Sequence, residues 1–214
     1  MILPDDQNEE IFMRFKGLVA VLATLTLAAC GQDLNKANTT LAAPAGMALP
    51  LPARAMVYMS RSDLDRPLMI EATRYRNEET SVKDGQTLER AARAILSQSF
   101  ATVETNTPAI RPQLVVKVLG TPKFSRLDNV MKIGCGLDVY LADGAMLGSF
   151  VARFDSKEGV DFRDALEPAY KLCLKSAADQ MLASPAVGRY ARSGFPEPNP
   201  AAYRSFIESL GLKP

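Results

Sequence analysis

Apolar and polar residues alternate in the centre of the chain, as they do in strands with one buried face. The clearest case runs from Met131 to Leu141, where six apolar residues fall at every second position. Shorter segments of this kind predict further strands at 68–72, 102–103, 114–119 and 145–154. Asp143 and Gly144 predict a hairpin turn between two of these strands, because both residues tolerate positive φ.

Two segments have the longer period of amphipathic helices. The apolar face of the first is formed by Leu88, Ala91, Ala92, Ile95, Leu96 and Ser99. The apolar face of the second is formed by Phe162, Leu166, Ala169, Tyr170, Cys173, Ala177 and Met181. Pro168 lies inside the second segment, so we expect that helix either to begin there or to bend there.

The order of these elements predicts an α+β domain over residues 66–183. The order strand-helix-strands-helix favours a mostly antiparallel sheet of four or five strands, with both helices packed on one face. In the last strand, Met146, Phe150 and Phe154 are expected on one side of the sheet. The face opposite the helices is expected to meet water or a partner, because it carries Lys132, Asp138, Tyr140 and Arg153.

The chain ends in a Pro/Gly-rich arm, 184–214, that contains a short amphipathic helix. Asn199 predicts the N-cap of this helix, Pro200 its first residue and Gly211 its end. So short a helix is marginal in water, and it must therefore dock on another surface. That surface is the chain's own domain, a partner protein or a neighbouring protomer, and the docking residues are Tyr203, Phe206, Ile207 and Leu210.

The N-terminal region has the features of an export signal. Arg14 and Lys16 precede an apolar stretch, 17–29, which as a helix is about 20 Å long and too short for a hydrocarbon layer of roughly 30 Å. Residues 1–12 carry acidic side chains, which do not suit the basic start of such a signal. We therefore expect translation to start at Met13.

Leu27, Ala28, Ala29 and Cys30 close this signal, and the tetrapeptide resembles the lipobox of bacterial lipoproteins. The resemblance implies that cleavage removes residues 1–29 and that Cys30 becomes a lipidated, acylated first residue. Gly31 stands where an aspartate would retain such a protein in the inner membrane, which implies the periplasmic face of the outer membrane. Residues 30–65 lack a sustained period and are expected to form a flexible tether after the lipid.

The domain is similar to small outer-membrane lipoproteins of the YajG type, and to lipoproteins with a fold like the N-terminal domain of TolB. The similarity is carried by the segments PLMIEA, TLERAARAILSQSF, QLVVKVLG, KIGCGLDVYLADGAMLGSFVARF and ALEPAYKLCLKSAADQML. It implies an accessory role at the cell envelope, in which the protein assembles, scaffolds or regulates a larger machine. It implies no functional residue beyond Cys30.

Composition excludes several kinds of chemistry. The chain has no histidine, which rules out Ser-His-Asp and Cys-His pairs and histidine-ligated metals. Lys and Arg total 25 against 24 Asp and Glu, a balance that argues against nucleic-acid binding. The carboxylates are scattered along the chain, so we predict no catalytic residue, no cofactor and no metal site.

The remaining cysteines, Cys135 and Cys173, lie on the apolar faces of a predicted strand and a predicted helix. Two elements packed through these faces would bring the sulfurs together, and the periplasm is oxidising. The sequence leaves two states open, a structural disulfide or two separate buried thiols.

The sequence therefore favours a lipid-anchored periplasmic protein that is not an enzyme. It is expected to act as an adaptor or assembly factor for an envelope machine. Its partners would be the membrane, one or more envelope proteins and further copies of itself. The alternative is a binding module for an envelope lipid or polysaccharide.

A Cys30→Ala variant is expected to lose its membrane attachment, because it lacks the thiol that the lipid would modify. Fractionation of cells that express either protein, with mass spectrometry of the N-terminal peptide, checks this expectation. Identical fractionation of the two proteins would contradict the lipobox interpretation.

Overall fold

The computed structural model describes residues 34, 37–70, 80–125, 130–156 and 162–214. In chain order its elements are β1 (Leu51–Tyr58), α1 (Arg61–Leu64), β2 (Leu68–Ile70), β3 (Thr80–Val82), α2 (Asp84–Ser99), β4 (Phe100–Thr105), a 3-10 turn (Pro108–Ile110), β5 (Leu114–Ser125), β6 (Val130–Leu141), β7 (Met146–Asp155), α3 (Phe162–Ala183), α4 (Pro185–Ser193) and α5 (Pro200–Ser209). The chain divides into two units, Met1–Gln32 and Asp33–Pro214, and every described residue belongs to the second. The predicted signal peptide 1–29 and Cys30 lie outside the described residues.

Five strands form a mixed sheet in the order β4-β1-β5-β6-β7. β1 is parallel to both β4 and β5, whereas β5, β6 and β7 are joined by antiparallel pairing. The hairpin between β6 and β7 turns at Gly144, which has a φ of 91°. The predicted α+β fold with helices packed on the sheet is confirmed.

The helices α2 and α3 pack on one side of the sheet, which we call the first face. The apolar residues of β6 from Met131 to Leu141 are buried there, as the alternation predicts. Gly120 of β5 allows close packing, since a Cβ at this position would lie 2.6 Å from Cδ2 of Leu88 and 3.0 Å from Cε1 of Tyr170. α3 contains Pro168 in its interior, so the proline does not mark the start of this helix.

The predicted domain boundary at residue 66 is wrong, because β1 lies within the segment 30–65 that was expected to be a tether. β1 sits between β4 and β5 in the sheet, and Ala55, Met56 and Val57 are all buried. A parallel strand covered on both faces lacks the alternation that identifies a half-buried strand. Upstream of β1, Leu34 and Leu41 are also buried in the core.

Two further expectations about strands need correction. The predicted strand at 68–72 is β2, but it pairs with β3 in a separate two-stranded sheet. Met146 does not share a side with Phe150, because the register shifts between Val139 and Tyr140 and pairs Met146 with Tyr140. The displaced Met146 side chain is exposed on the side of the sheet away from α2 and α3.

The arm after residue 183 contains a helix, α4, that the sequence analysis did not predict. Val187 of α4 is buried in the core. After α4, Phe195 stacks on Tyr190 and meets Phe100 edge to face. These contacts hold the first part of the arm against the domain.

Cys135 of β6 and Cys173 of α3 form a disulfide, which is one of the two states that the sequence left open. Their Cα atoms are 6.1 Å apart, and 38 residues separate the two positions in the chain. The bond joins α3 to β6, the strand next to the central strand of the sheet.

Replacing both Cys135 and Cys173 with alanine is expected to lower the free energy of unfolding by about 2–4 kcal/mol, because the open chain gains conformational entropy. Urea titration of a soluble Cys30→Ala form, with and without dithiothreitol, checks this value. Reductant should destabilise the disulfide-bonded protein and leave the double variant unchanged. Equal midpoints for the oxidised and reduced protein would contradict the expectation.

Candidate docking face of the sheet

The side of the sheet opposite α2 and α3, here called the second face, is covered at one end by α5. Ile207 of α5 is fully buried and packs on Met56 of β1 and Val115 of β5. Phe206 packs on Tyr140 of β6, with ring centroids 5.6 Å apart. These contacts bury one row of the second face beneath a helix of ten residues.

Hydrogen bonds fix both ends of α5. The side chain of Asn199 accepts from the backbone N–H groups of Ala201 and Ala202, which confirms the predicted N-cap. Tyr58 Oη donates to the carbonyl of Leu210 over 2.8 Å, and Tyr203 Oη donates to the carbonyl of Pro108 over 2.8 Å. Burial raises the pKa of the Tyr203 hydroxyl, although the nearby charge of Arg111 acts in the opposite direction.

The predicted docking residues Tyr203, Phe206, Ile207 and Leu210 therefore pack on the chain's own domain. Of the docking surfaces that the sequence left open, the structure shows the chain's own domain and not a partner protein or a neighbouring protomer. The physical reason is that Met56 and Val115 form an apolar row on the second face. Without α5 this row would be exposed to water.

A polar network holds the arm where it crosses from the first face to the second. Gln113 is buried, and its side-chain amide donates to the carbonyl of Phe195 and accepts from the backbone N–H of Arg54. Arg54 Nη2 in turn contacts both carboxylate oxygens of Glu197, at 2.9 and 2.8 Å. Because both partners are partly exposed, this ion pair positions the arm more than it stabilises the fold.

The rest of the second face is open, and we call it the open half. It consists of four rows that the strand register places side by side: Lys117, Asp138 and Ser149; Leu119, Gly136 and Val151; Thr121, Gly134 and Arg153; Lys123, Lys132 and Asp155. A depression of about 510 Å³ lies over the second and third rows. Its apolar walls are Leu119, 41% exposed, and Val151, 66% exposed.

Glycines form the floor of this depression. A Cβ on Gly136 would lie 3.4 Å from Val151 Cγ1 and 3.8 Å from Leu119 Cβ, so it would fill the space between the two walls. A Cβ on Gly134 would lie 2.6 Å from Thr121 Oγ1. Neither glycine adds a side chain between the walls; Gly134 is half-buried, and Gly136 is buried at the base of the depression.

Charged side chains surround the depression. Four of them are cationic and two anionic, which gives the open half a positive excess; they are Lys117, Lys123, Lys132, Arg153, Asp138 and Asp155. Asp138 accepts a hydrogen bond from Ser149 Oγ over 2.6 Å. The second face, which the sequence predicted to be polar, thus has an apolar groove at its centre. The charged residues that led to this prediction gave no sign of the groove.

The other notable polar cluster has a structural role. Asp84 is fully buried, and its carboxylate accepts hydrogen bonds from Arg66 Nε and Nη2 at 2.8 and 2.6 Å and from Tyr170 Oη at 2.6 Å. Burial and the neighbouring Asp84 raise the pKa of the Tyr170 hydroxyl. The cluster joins the segment after α1 to α2 and α3, and both carboxylate oxygens have partners.

The described part of the chain lacks two features that would point to other functions. It contains no group of three or more cysteine, aspartate and glutamate side chains placed to hold a metal ion. None of its helices has the length and apolar character needed to cross a membrane.

No protein-family model and no curated protein matches the chain. Among solved structures, it is similar to a DUF330 protein of Xanthomonas campestris, with 11% identity, a TM-score of 0.47, and coverage of 71% of this chain and 94% of the other. It is also similar to the PelC dodecamer of Paraburkholderia phytofirmans, with 13% identity, a TM-score of 0.40 and coverage of 63% and 91%. Uncharacterized lipoprotein B of Nitrosomonas europaea has 11% identity, a TM-score of 0.28 and coverage of 73% and 90%. At this level of similarity, the structures assign neither a family nor a function to the chain.

An Ile207→Ala variant is expected to open α5, because truncating a buried isoleucine costs about 2–5 kcal/mol. Trypsin cleavage after Arg204, followed by mass spectrometry, should become at least ten-fold faster. Ser205→Ala, an exposed change in the same helix, is the matched control and should cleave at the wild-type rate. Unchanged cleavage of Ile207→Ala would show that this contact does not hold α5 on the sheet.

Proposed function

We propose that the protein is a lipid-anchored accessory protein at the periplasmic face of a bacterial outer membrane, where it acts as a non-enzymatic adaptor or assembly factor. The membrane attachment rests on the resemblance of Leu27–Cys30 to a lipobox. The adaptor role rests on one observation about the domain. All three large apolar side chains that are exposed in its described residues, Leu119, Met146 and Val151, lie on the second face.

Contact with a protein partner is more favourable for this surface than exposure to solvent. Exposed apolar side chains grouped on one face mark contact sites, whereas single scattered ones do not. Covering Leu119 and Val151 would contribute roughly 1–2 kcal/mol each, enough to matter in a small interface. Because Gly134 and Gly136 have no side chains, only the two walls and Thr121 would meet a partner's side chain over the depression.

The charges around the groove indicate the chemistry of that partner. Lys117 and Arg153 flank the apolar walls, and the open half has an excess of cations. We therefore propose a partner segment that inserts an apolar side chain between Leu119 and Val151 and carries acidic residues beside it. Charge complementarity of this kind mainly sets specificity and association rate.

The alternative function, a binding module for an envelope lipid or polysaccharide, has less support. A lipid-binding module needs an enclosed apolar cavity, typically between the sheet and its helices. In this protein Leu88, Ile95, Leu137 and Leu166 occupy that space, and each is at most 1% exposed. The depression on the open half is lined by aliphatic, glycine, cysteine, threonine and arginine residues and offers no aromatic platform for a sugar.

The adaptor proposal also assigns no catalytic step to the chain. Without histidine, its serines lack the usual general base. Thr121, whose hydroxyl lines the depression, donates to the carbonyl of Gly134 over 3.4 Å, and Ser149 beside the depression donates to Asp138. Both residues are exposed, and their hydroxyls serve as surface polar groups.

A Val151→Asp variant is expected to reduce partner capture at least ten-fold, because it places a charge where the apolar side chain would insert. Mild crosslinking in intact cells, followed by quantitative mass spectrometry, measures the partner recovered with each protein. The matched control is Ala101→Asp, which adds the same group to an exposed position on the opposite edge strand, β4.

Both substitutions are at exposed positions. They should shift the unfolding midpoint only slightly, as substitutions on a protein surface usually do. Recovery of the same crosslinked proteins at wild-type levels with Val151→Asp would contradict a docking role for the open half. Equal loss with Ala101→Asp would show that the effect is not specific to this face.

A further inference from the structure

The segment that precedes β1 is folded onto the domain. Leu34 and Leu41 are only 6% and 8% exposed and belong to the same core as α2 and α3. Met47 and Leu49 pack against that core as well. The domain therefore begins, in terms of packing, no later than Leu34.

Hydrogen bonds support the position of this segment. The backbone N–H of Leu41 donates to Gln98 Oε1 over 3.0 Å, and Gln98 Nε2 donates to the carbonyl of Thr39 over 3.3 Å. Gln98 lies in the last turn of α2. The segment is thus joined to the end of that helix by a side chain that contacts the backbone on both sides of Thr40.

The position of Leu34 limits how far the domain can stand from a lipid on Cys30. Three residues lie between Cys30 and Leu34, so the chain between them spans at most about 14 Å. A free tether from Cys30 to the start of β1 would allow about 70 Å. The difference between these two spans exceeds the length of each helix described in the domain.

We propose that the protein works while lying against its own membrane, held there by the short connection between Cys30 and the buried Leu34. This inference rests on the proposed lipid attachment. It restricts the partners of the open half to proteins that are embedded in the same membrane or lie on its surface. A protein that remains on the far side of the periplasm would be too far away to contact such a domain.

Neutron reflectometry on the acylated mature protein in a supported bilayer measures the water gap between the headgroups and the protein layer. We expect a gap below about 15 Å for the wild type. Insertion of twelve Gly/Ser residues after Gln32 adds roughly 20 Å of flexible chain without altering the domain, and the gap should increase accordingly.

A second pair of variants tests the role of the buried leucines. Leu34→Asp with Leu41→Asp should release the segment and enlarge the gap by at least 20 Å. Ala42→Asp with Ala43→Asp adds the same charges at exposed neighbouring positions and should retain the wild-type gap. Circular dichroism of both pairs establishes that the sheet and helices remain folded, and the inserted-linker variant carries the test if the leucine pair does not fold.

The possible failures are distinct. A wild-type gap above about 30 Å, with Cys30 acylated and the protein bound to the bilayer, would overturn this inference and leave the proposed function intact. A mature chain without acyl groups on Cys30 would overturn the lipid attachment and, with it, both proposals.

Discussion

A sheet whose central strands are apolar on both faces needs a cover over those residues on both faces, and this chain has much more helix for one face than for the other. In β5, Leu114, Val115 and Val116 are consecutive and fully buried, which requires packing from both sides. α2 and α3 supply 16 and 22 residues to the first face, but α5 supplies only ten to the second. Ten helical residues span about 15 Å, whereas the twelve residues of β6 span about 40 Å. The open half exists because α5 ends before the sheet does.

The first face makes this uncovered region rigid. Cys135, which is bonded to Cys173 of α3, stands between Gly134 and Gly136, so the glycine floor of the groove is held from behind by the disulfide. The buried Asp84 carboxylate joins α2 to α3 through Tyr170 and to the segment after α1 through Arg66. A partner would therefore meet a preformed groove and would not have to order it, which reduces the entropic cost of binding.

The sequence predicted those features whose signals are local. The alternation in β6, the amphipathic faces of α2 and α3, and the Asn199 cap of α5 can be read within one element each. β1 was missed because it lacks the alternation of a half-buried strand and, with Pro52 near its start, directly follows a segment rich in alanine and proline. The groove was missed because Leu119, Gly136 and Val151 lie in three different strands and become neighbours only through the register. Likewise, the apolar positions of residues 34–50 show no regular spacing that would indicate Leu34 and Leu41 as core residues.

The most direct test of the account is site-specific photo-crosslinking in living cells, with a photoreactive amino acid at position 119 in one strain and at position 101 in another. Leu119 forms one wall of the groove, while Ala101 is exposed on the opposite edge strand. If the open half is the docking surface, position 119 gives a discrete crosslink to a membrane-associated envelope protein and position 101 gives none. Crosslinks that are absent from position 119, or the same from both positions, would contradict the assignment of the open half as the docking surface.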